Sequence, residues 1–460
     1  MTYTSLPLNW KKHLVKNMGS KKHITIIGAG LVGSLLSIYL QKRGYKVEVY
    51  ERRPDMRREA IRAGKSINLA LSNRGWRPLT EVGLEDKLKQ LIIPMKGRMM
   101  HDLEGNLSFQ PYGKEGQAIN SISRGGLNSL LMETAESLGV KFHFEFKCIG
   151  IDFERTIAYV ENRDTSLEIH SDLIFGADGA FSAVRSAMQK TDRFNYSQDY
   201  IPHGYKELSF PATADDDFAL DKNALHIWPR KDFMLIALPN LDKSFTVTLF
   251  LAFEGEKSFE NLKTDEDVEN FFNTEFKDAK ELMPNLVEEF KTNPPSSLVT
   301  VRSYPWIKNN VSVIGDAAHA VVPFYGQGMI AGFEDCHVLN DLLDKTDDNW
   351  ETTLKKFEEL RKPDTNAIAD LALENFVVMR DKVGDTNFLL RKQIESHLYT
   401  LYPEKWIPLY SMVTFNENMR YSEALAKGKK QEQIMDEVMA SLEPGQDWQG
   451  LDFKEIVGQL

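Results

Sequence analysis

The chain has 460 residues, 42% hydrophobic and 27% charged, with a formal net charge of −11. That is ordinary for a soluble globular protein of two or three domains, and the acid excess argues against nucleic acid or an anionic membrane as the main partner. Two cysteines, Cys148 and Cys336, far apart in sequence, suggest a reducing compartment and no disulfide framework.

Residues 1–20 carry Lys11, Lys12 and Lys16 without the apolar core of a signal peptide, so they read as a polar extension, with Met18 an alternative start. No run reaches membrane-span length. The longest uncharged stretch, 317–333, is broken by His319, Pro323, Tyr325 and three glycines. A cytoplasmic protein is expected.

The first structural unit spans 21–51. Residues 23–27, HITII, are an apolar, β-branched run that predicts a buried parallel strand. Gly28, Gly30 and Gly33 follow at G-x-G-x-x-G spacing, and the apolar residues of LVGSLLSIYL recur at helical intervals. A second strand over 46–50 ends at Glu51. The first glycine makes the tight turn, the second lets backbone approach a pyrophosphate, and the third lets helix and strand close together. Phosphates then sit on the free N–H groups and positive dipole of the helix N-terminus. Glu51, eighteen residues past Gly33, is placed to accept hydrogen bonds from a ribose. Together these predict an adenine-dinucleotide site.

A basic segment over 52–65 precedes a strand at 66–71 and a helix at 73–82. PMKGRMMHDLEGNLSFQPYG alternates around Glu104, Gly105 and Asn106, which predicts a hairpin near 94–114. Antiparallel pairing brings Arg98, near its start, beside Tyr112, near its end. Arg124 opens a helix, and 140–146 is another strand. In SDLIFGADGAFSAVR a buried strand ends at Gly176, and Asp178 can cap the helix that follows. From 192 to 294, runs such as FMLIALP and FTVTLFLAF predict a largely antiparallel sheet, read as an inserted substrate domain.

VSVIGDAAHAVVPFYGQGMIAG returns to the first domain. A strand at 311–314 leads to Gly315 and to Asp316, an acid within reach of a ribityl or ribose hydroxyl. Gly326 and Gly328 then start another helix. Open α/β sheets collect ligands at loops of this kind. Residues 350–460 are helical in pattern, and the scattered histidines give no metal-ligand spacing. The expected fold class is α/β. A discontinuous Rossmann-like domain covers 21–191 and 295–349 and carries the hairpin near 94–114 on its substrate side. A mainly antiparallel substrate domain covers 192–294, and a helical region covers 350–460.

The order GAGLVG, an acid ending the second strand, GADGAFSAVR, then GDAAHAVVPFYGQG resembles the single-component FAD-dependent aromatic hydroxylases. SINLALSNRG, PMKGRMMHDL, FNYSQDYIPHGYKEL, LHIWPR, HAVVPFYGQGM, AGFEDC and IPLYSMVTF narrow it to the kynurenine 3-monooxygenase family, over 21 to about 421. The resemblance implies that the Rossmann-like domain binds FAD. Beside the three glycines, it implies contacts at Val32, Glu51, Arg53, Ala70, Arg124, Cys148, Asp316, Met329 and Ile330. It implies that Arg98, Tyr112, Asn375 and Tyr410 hold the amino-acid end of L-kynurenine. Eukaryotic members continue into a hydrophobic C-terminal membrane anchor, and this chain ends without one, which implies a soluble, bacterial-type form. Ile330 stands where the family often has Asn, so a polar flavin contact there must come from backbone. A homodimer is left open.

The cycle implied begins when NADPH, a transient co-substrate without a fold of its own, gives hydride to FAD. Reduced flavin adds dioxygen at its C4a carbon, and the hydroperoxide attacks the kynurenine ring beside its amino group. The helix after Gly328 would stabilise the reduced, anionic flavin. Residues 321–325 and the C-terminal helices would keep the site dry. The amine already enriches the ring with electrons, so no catalytic base and no metal are expected. The alternatives are a same-fold hydroxylase of another aromatic acid, a flavin-dependent reductase, and a non-catalytic carrier.

Overall fold

The computed structural model describes residues 22–58, 68–112, 117–378, 386–442 and 447–460. The N-terminal extension, the basic segment beyond 58, the start of the 66–71 strand and the last two residues of the 94–114 span lie outside the described residues.

His23–Ile27 lies inside a six-stranded sheet, paired in parallel with Lys46–Glu51 on one side and Leu173–Gly176 on the other. Lys141–Phe144 extends the first side and Val311–Val313 the second, both in parallel, and Ile307–Lys308 closes one edge antiparallel. A strand in this position is covered on both faces, which is why residues 24–27 are all buried instead of alternating. The register aligns Ile27 with Gly176 and Gly176 with Val313. Three strands therefore end side by side, and the loops after them open on one edge.

The second sheet has seven strands, ordered Ser296–Tyr304, Asn195–Phe210, Phe245–Ala252, Phe233–Pro239, Ala224–Arg230, Gly97–His101, Leu107–Pro111. The hairpin forms as expected, with Arg98 opposite Gln110. Its partner strand lies in the 192–294 segment. Gly97–His101 pairs in parallel with Ala224–Arg230, Leu225 opposite Arg98, so the hairpin belongs to this sheet and not to the cofactor half. The Ser296–Tyr304 strand likewise pairs with Asn195–Phe210, beyond the boundary expected at 294. One face of the sheet packs Trp228, Phe245 and Leu249 against Phe272 of the helix Asp265–Glu275, which starts with a Thr264–Asp267 capping box.

The C-terminal region is helical, with Trp350–Val377, Thr386–Leu401, Leu409–Thr414 and Tyr421–Ser441 as its main elements. One apolar cluster joins Phe376, Met412, Val413 and Tyr421 of these helices to Val322, Phe324 and Tyr325 and to Phe250 of the second sheet. The region is thus packed onto the edge where the loops converge. Among the described residues, no helix is long and apolar enough to cross a membrane.

Candidate active site

The three glycines divide the work as their spacing predicts. Gly28 has φ +107°, and a Cβ there would meet the Ala177 carbonyl oxygen at 2.5 Å. At Gly33 a Cβ would lie 2.1 Å from the Gly28 carbonyl oxygen. At Gly30 it would meet nothing within 4 Å. The first and third glycines therefore exist for the protein's own packing, and the second keeps a space clear. That space faces the N-terminus of the helix Leu31–Lys42, whose first turn has no acidic residue and no side-chain cap. Its free N–H groups suit an anion.

Glu51 accepts from the Ala29 N–H and the Arg53 N–H, both at 2.9 Å, which ties the end of the second strand to the glycine loop. Asp178 caps its helix as expected, with Oδ2 accepting from Ala183 N at 2.6 Å. Its Oδ1 is buried and has no partner among the described residues, and burial raises its pKa. Asn128 donates to the Ala29 carbonyl at 3.0 Å, and its own buried Oδ1 has no partner among the described residues. Two buried acceptors without donors flank the cleared space, which fits a cofactor rich in hydroxyls as well as phosphate. Nothing in the sequence marked Asn128, because an amide inside a helix carries no local signal.

On the neighbouring surface Arg98 stands among aromatic rings. Its guanidinium is 4.6 Å from the ring centroid of Tyr410 and 5.3 Å from that of Tyr112. Tyr112 and Tyr410 stack at 5.9 Å, and Tyr410 stacks on Tyr325 at 5.5 Å. Phe415 closes the cluster edge-on against Tyr112 and Tyr410. Burial opposes the charge on Arg98, but the facing Tyr410 and Tyr112 outweigh it, so its pKa is raised. No carboxylate among the described residues is its ion-pair partner. A planar cation held this way suits a bidentate carboxylate. Asn375, near the end of the helix Trp350–Val377, donates to the Phe324 carbonyl at 2.7 Å. Tyr325 was foreseen only as part of a cover, yet its ring joins the cage.

The strand bearing Arg98 is anchored from its other face. His101 is bonded through Nδ1 to Asp278 at 2.8 Å and through Nε2 to His226 at 2.9 Å, and Trp228 Nε1 donates to the same Asp278 oxygen. Burial pushes His226 down to about 4, against an ordinary value of 6.5. Between those values the unfolded chain takes up a proton that the folded chain refuses. Stability therefore falls as pH drops through the window, with His226 contributing about 2 kcal/mol between pH 7 and pH 5. Urea unfolding at both pH values checks this, and His226→Gln should flatten the difference by that amount.

The family model described as FAD binding domain matches residues 21–372. The kynurenine 3-monooxygenase of Christiangramia forsetii is 48% identical over 446 residues, covering 96% of this chain and 99% of that protein. That of Sus scrofa is 45% identical, covering 90% and 88%. The chain belongs to the kynurenine 3-monooxygenase family. Among solved structures, 2-methyl-3-hydroxypyridine-5-carboxylic acid oxygenase superposes with a TM-score of 0.66 at 21% identity, over 81% of this chain and 96% of that one, which supports the fold.

As a kynurenine 3-monooxygenase family member the chain is an FAD-dependent monooxygenase, and the residues the family resemblance named for FAD fall into three groups. Val32 touches the third loop directly, since a Cβ at Gly315 would meet it at 3.0 Å and one at Gly332 at 2.5 Å. Asp316 follows Gly315 at the start of a helical turn, and Ala70 lies beside Gly326, where an added Cβ would be 3.4 Å away. Met329 is half-buried one residue into the helix Gly328–Lys345. These gather around the convergent edge. Arg53 and Arg124 are exposed at the loop ends. Cys148 and Ile330 point into the core. The Cys148 thiol is pushed up to about 12 by burial, with Asp178 adding to the shift. Ile330 packs against Gly75, where an added Cβ would meet it at 2.9 Å. Its side chain is thereby committed to packing.

Proposed function

We propose that the protein hydroxylates L-kynurenine to 3-hydroxykynurenine, consuming NADPH and dioxygen. The observation that carries this reading is the guanidinium of Arg98, without a carboxylate partner among the described residues and held in a tyrosine cage whose third ring, Tyr325, belongs to the turn that leads into the cofactor-side helix. In this reading Arg98 grips the substrate carboxylate, and Tyr112 and Tyr410 add hydroxyl donors. Asn375 positions the Phe324 turn beside them. When bound, FAD supplies the redox chemistry, taking hydride from NADPH and passing one atom of dioxygen to the ring. The chain's part is to bind and orient both molecules and to exclude water. FAD would lie along the glycine loop, Glu51, Arg53, Ala70, Arg124 and the Asp316 loop. Its pyrimidine edge would meet the uncapped N-terminus of Gly328–Lys345, which has no acid in its first turn.

We divide the chain into a cofactor half, a substrate sheet that includes the hairpin and Ser296–Tyr304, and a C-terminal helical region. We place it in the cytoplasm, a reading supported by two free, buried cysteines.

The test is anaerobic reduction of the yellow purified protein by NADPH with and without kynurenine, followed by oxygen and product analysis. Kynurenine should accelerate reduction and 3-hydroxykynurenine should form. Accelerated NADPH consumption with no oxygenated product would instead identify a reductase.

A further inference from the structure

Arg74, on the helix Asn73–Glu81, is buried and takes no part in the site described so far. Its Nε donates to the Val413 carbonyl at 3.0 Å, and its Nη2 donates to those of Asn416 and Met419 at 2.7 and 2.6 Å. Its Nη1 pairs with Glu334 at 2.6 Å, midway along Gly328–Lys345. The gripped carbonyls belong to the helix Leu409–Thr414, which carries Tyr410, and to the turn after it. The ring of Tyr421 lies over the guanidinium at 4.2 Å, and its hydroxyl donates to Gln327 Oε1 at 2.9 Å. Gln327 is buried, occupies the N-cap position of Gly328–Lys345, and stands two residues after Tyr325, whose ring stacks on Tyr410.

These links close a circuit. From Tyr410 it runs through the Tyr325 ring to Gln327, through the Tyr421 hydroxyl to Arg74, and through the gripped carbonyls back to the helix that bears Tyr410. The Arg74–Val413, Arg74–Glu334 and Tyr421–Gln327 hydrogen bonds in it are buried, so neither the Tyr410 segment nor the helix start can shift without breaking a costly contact. We propose that Arg74 and Tyr421 are positioning residues that hold the substrate tyrosine and the cofactor-side helix start as one unit. Substrate settling against Arg98 and Tyr410 then changes the flavin's surroundings through Gln327. The inference rests on the kynurenine reading above.

The test compares wild type, Tyr421→Phe and Arg74→Lys as FAD-loaded full chains. Three quantities are read: the change in flavin absorbance on adding kynurenine, the acceleration of NADPH oxidation by kynurenine, and 3-hydroxykynurenine formed per NADPH. Tyr421→Phe should keep its FAD and bind kynurenine within about twofold of wild type, since it touches neither molecule in this reading. Its kynurenine acceleration should fall about fivefold, the worth of one buried hydrogen bond, with a smaller absorbance change and less product per NADPH. A merely stabilising role would lower the melting temperature and leave all three quantities alone, and that result overturns the inference. If Arg74→Lys cannot retain FAD, Tyr421→Phe decides by itself. A wild type that shows no response to kynurenine overturns the functional reading and this inference with it.

Discussion

Arg98→Met should weaken kynurenine binding by about 10- to 150-fold, the loss expected when a charge-assisted pair worth ~1.5–3 kcal/mol is removed. The same substitution should cost at most about 1 kcal/mol of folding stability. In the free protein the facing rings of Tyr112 and Tyr410 offset the burial cost of the guanidinium, and a methionine of similar volume gives up both together. Titration of flavin fluorescence with kynurenine gives the affinity, and thermal unfolding gives the stability. Arg98→Lys should fall between, since it keeps the charge and loses the planar fork. Unchanged affinity in Arg98→Met would remove this residue from the substrate site.

The second large effect separates two glycines of one motif. Gly33→Ala places a methyl 2.1 Å from a backbone oxygen and 3.3 Å from the Ala177 Cβ, and neither is a side-chain end that can swing aside. It should cost about 3 kcal/mol of stability and abolish FAD retention. Gly30→Ala has φ −72° and open space, so the chain should fold with stability within ~0.5 kcal/mol of wild type without cofactor. Its methyl would occupy the space cleared for the pyrophosphate, and FAD affinity should drop by roughly tenfold or more. Denaturant unfolding of the cofactor-free proteins, with flavin content after purification, reads both. A Gly30→Ala protein that holds flavin as tightly as wild type would show that the cofactor does not approach there.

What the sequence showed and what it hid differ by the range of the interactions involved. The strand, glycine loop, helix and acid of 21–51 were legible because each requirement is local: a positive φ at Gly28, a close approach at Gly33, a helical period after it. The Arg98–Tyr112 approach was legible for the same reason, since a short hairpin fixes it. The strand that the hairpin pairs with was not. The hairpin's inner strand joins Ala224–Arg230 in parallel, and a parallel pair is made by a long crossover that leaves no local mark.

The sequence by itself determined the dinucleotide-binding core, the hairpin, and through its motifs the family. Only the tertiary structure decided that Tyr410 stacks between Tyr112 and Tyr325, that Ile330 turns into the core against Gly75, and that Asp178 and Asn128 each leave a buried oxygen without a partner among the described residues. The reason is physical. Periodicity and turn chemistry act over a few residues, whereas which rings meet and which oxygens go unmatched depends on how distant segments fill one shared volume.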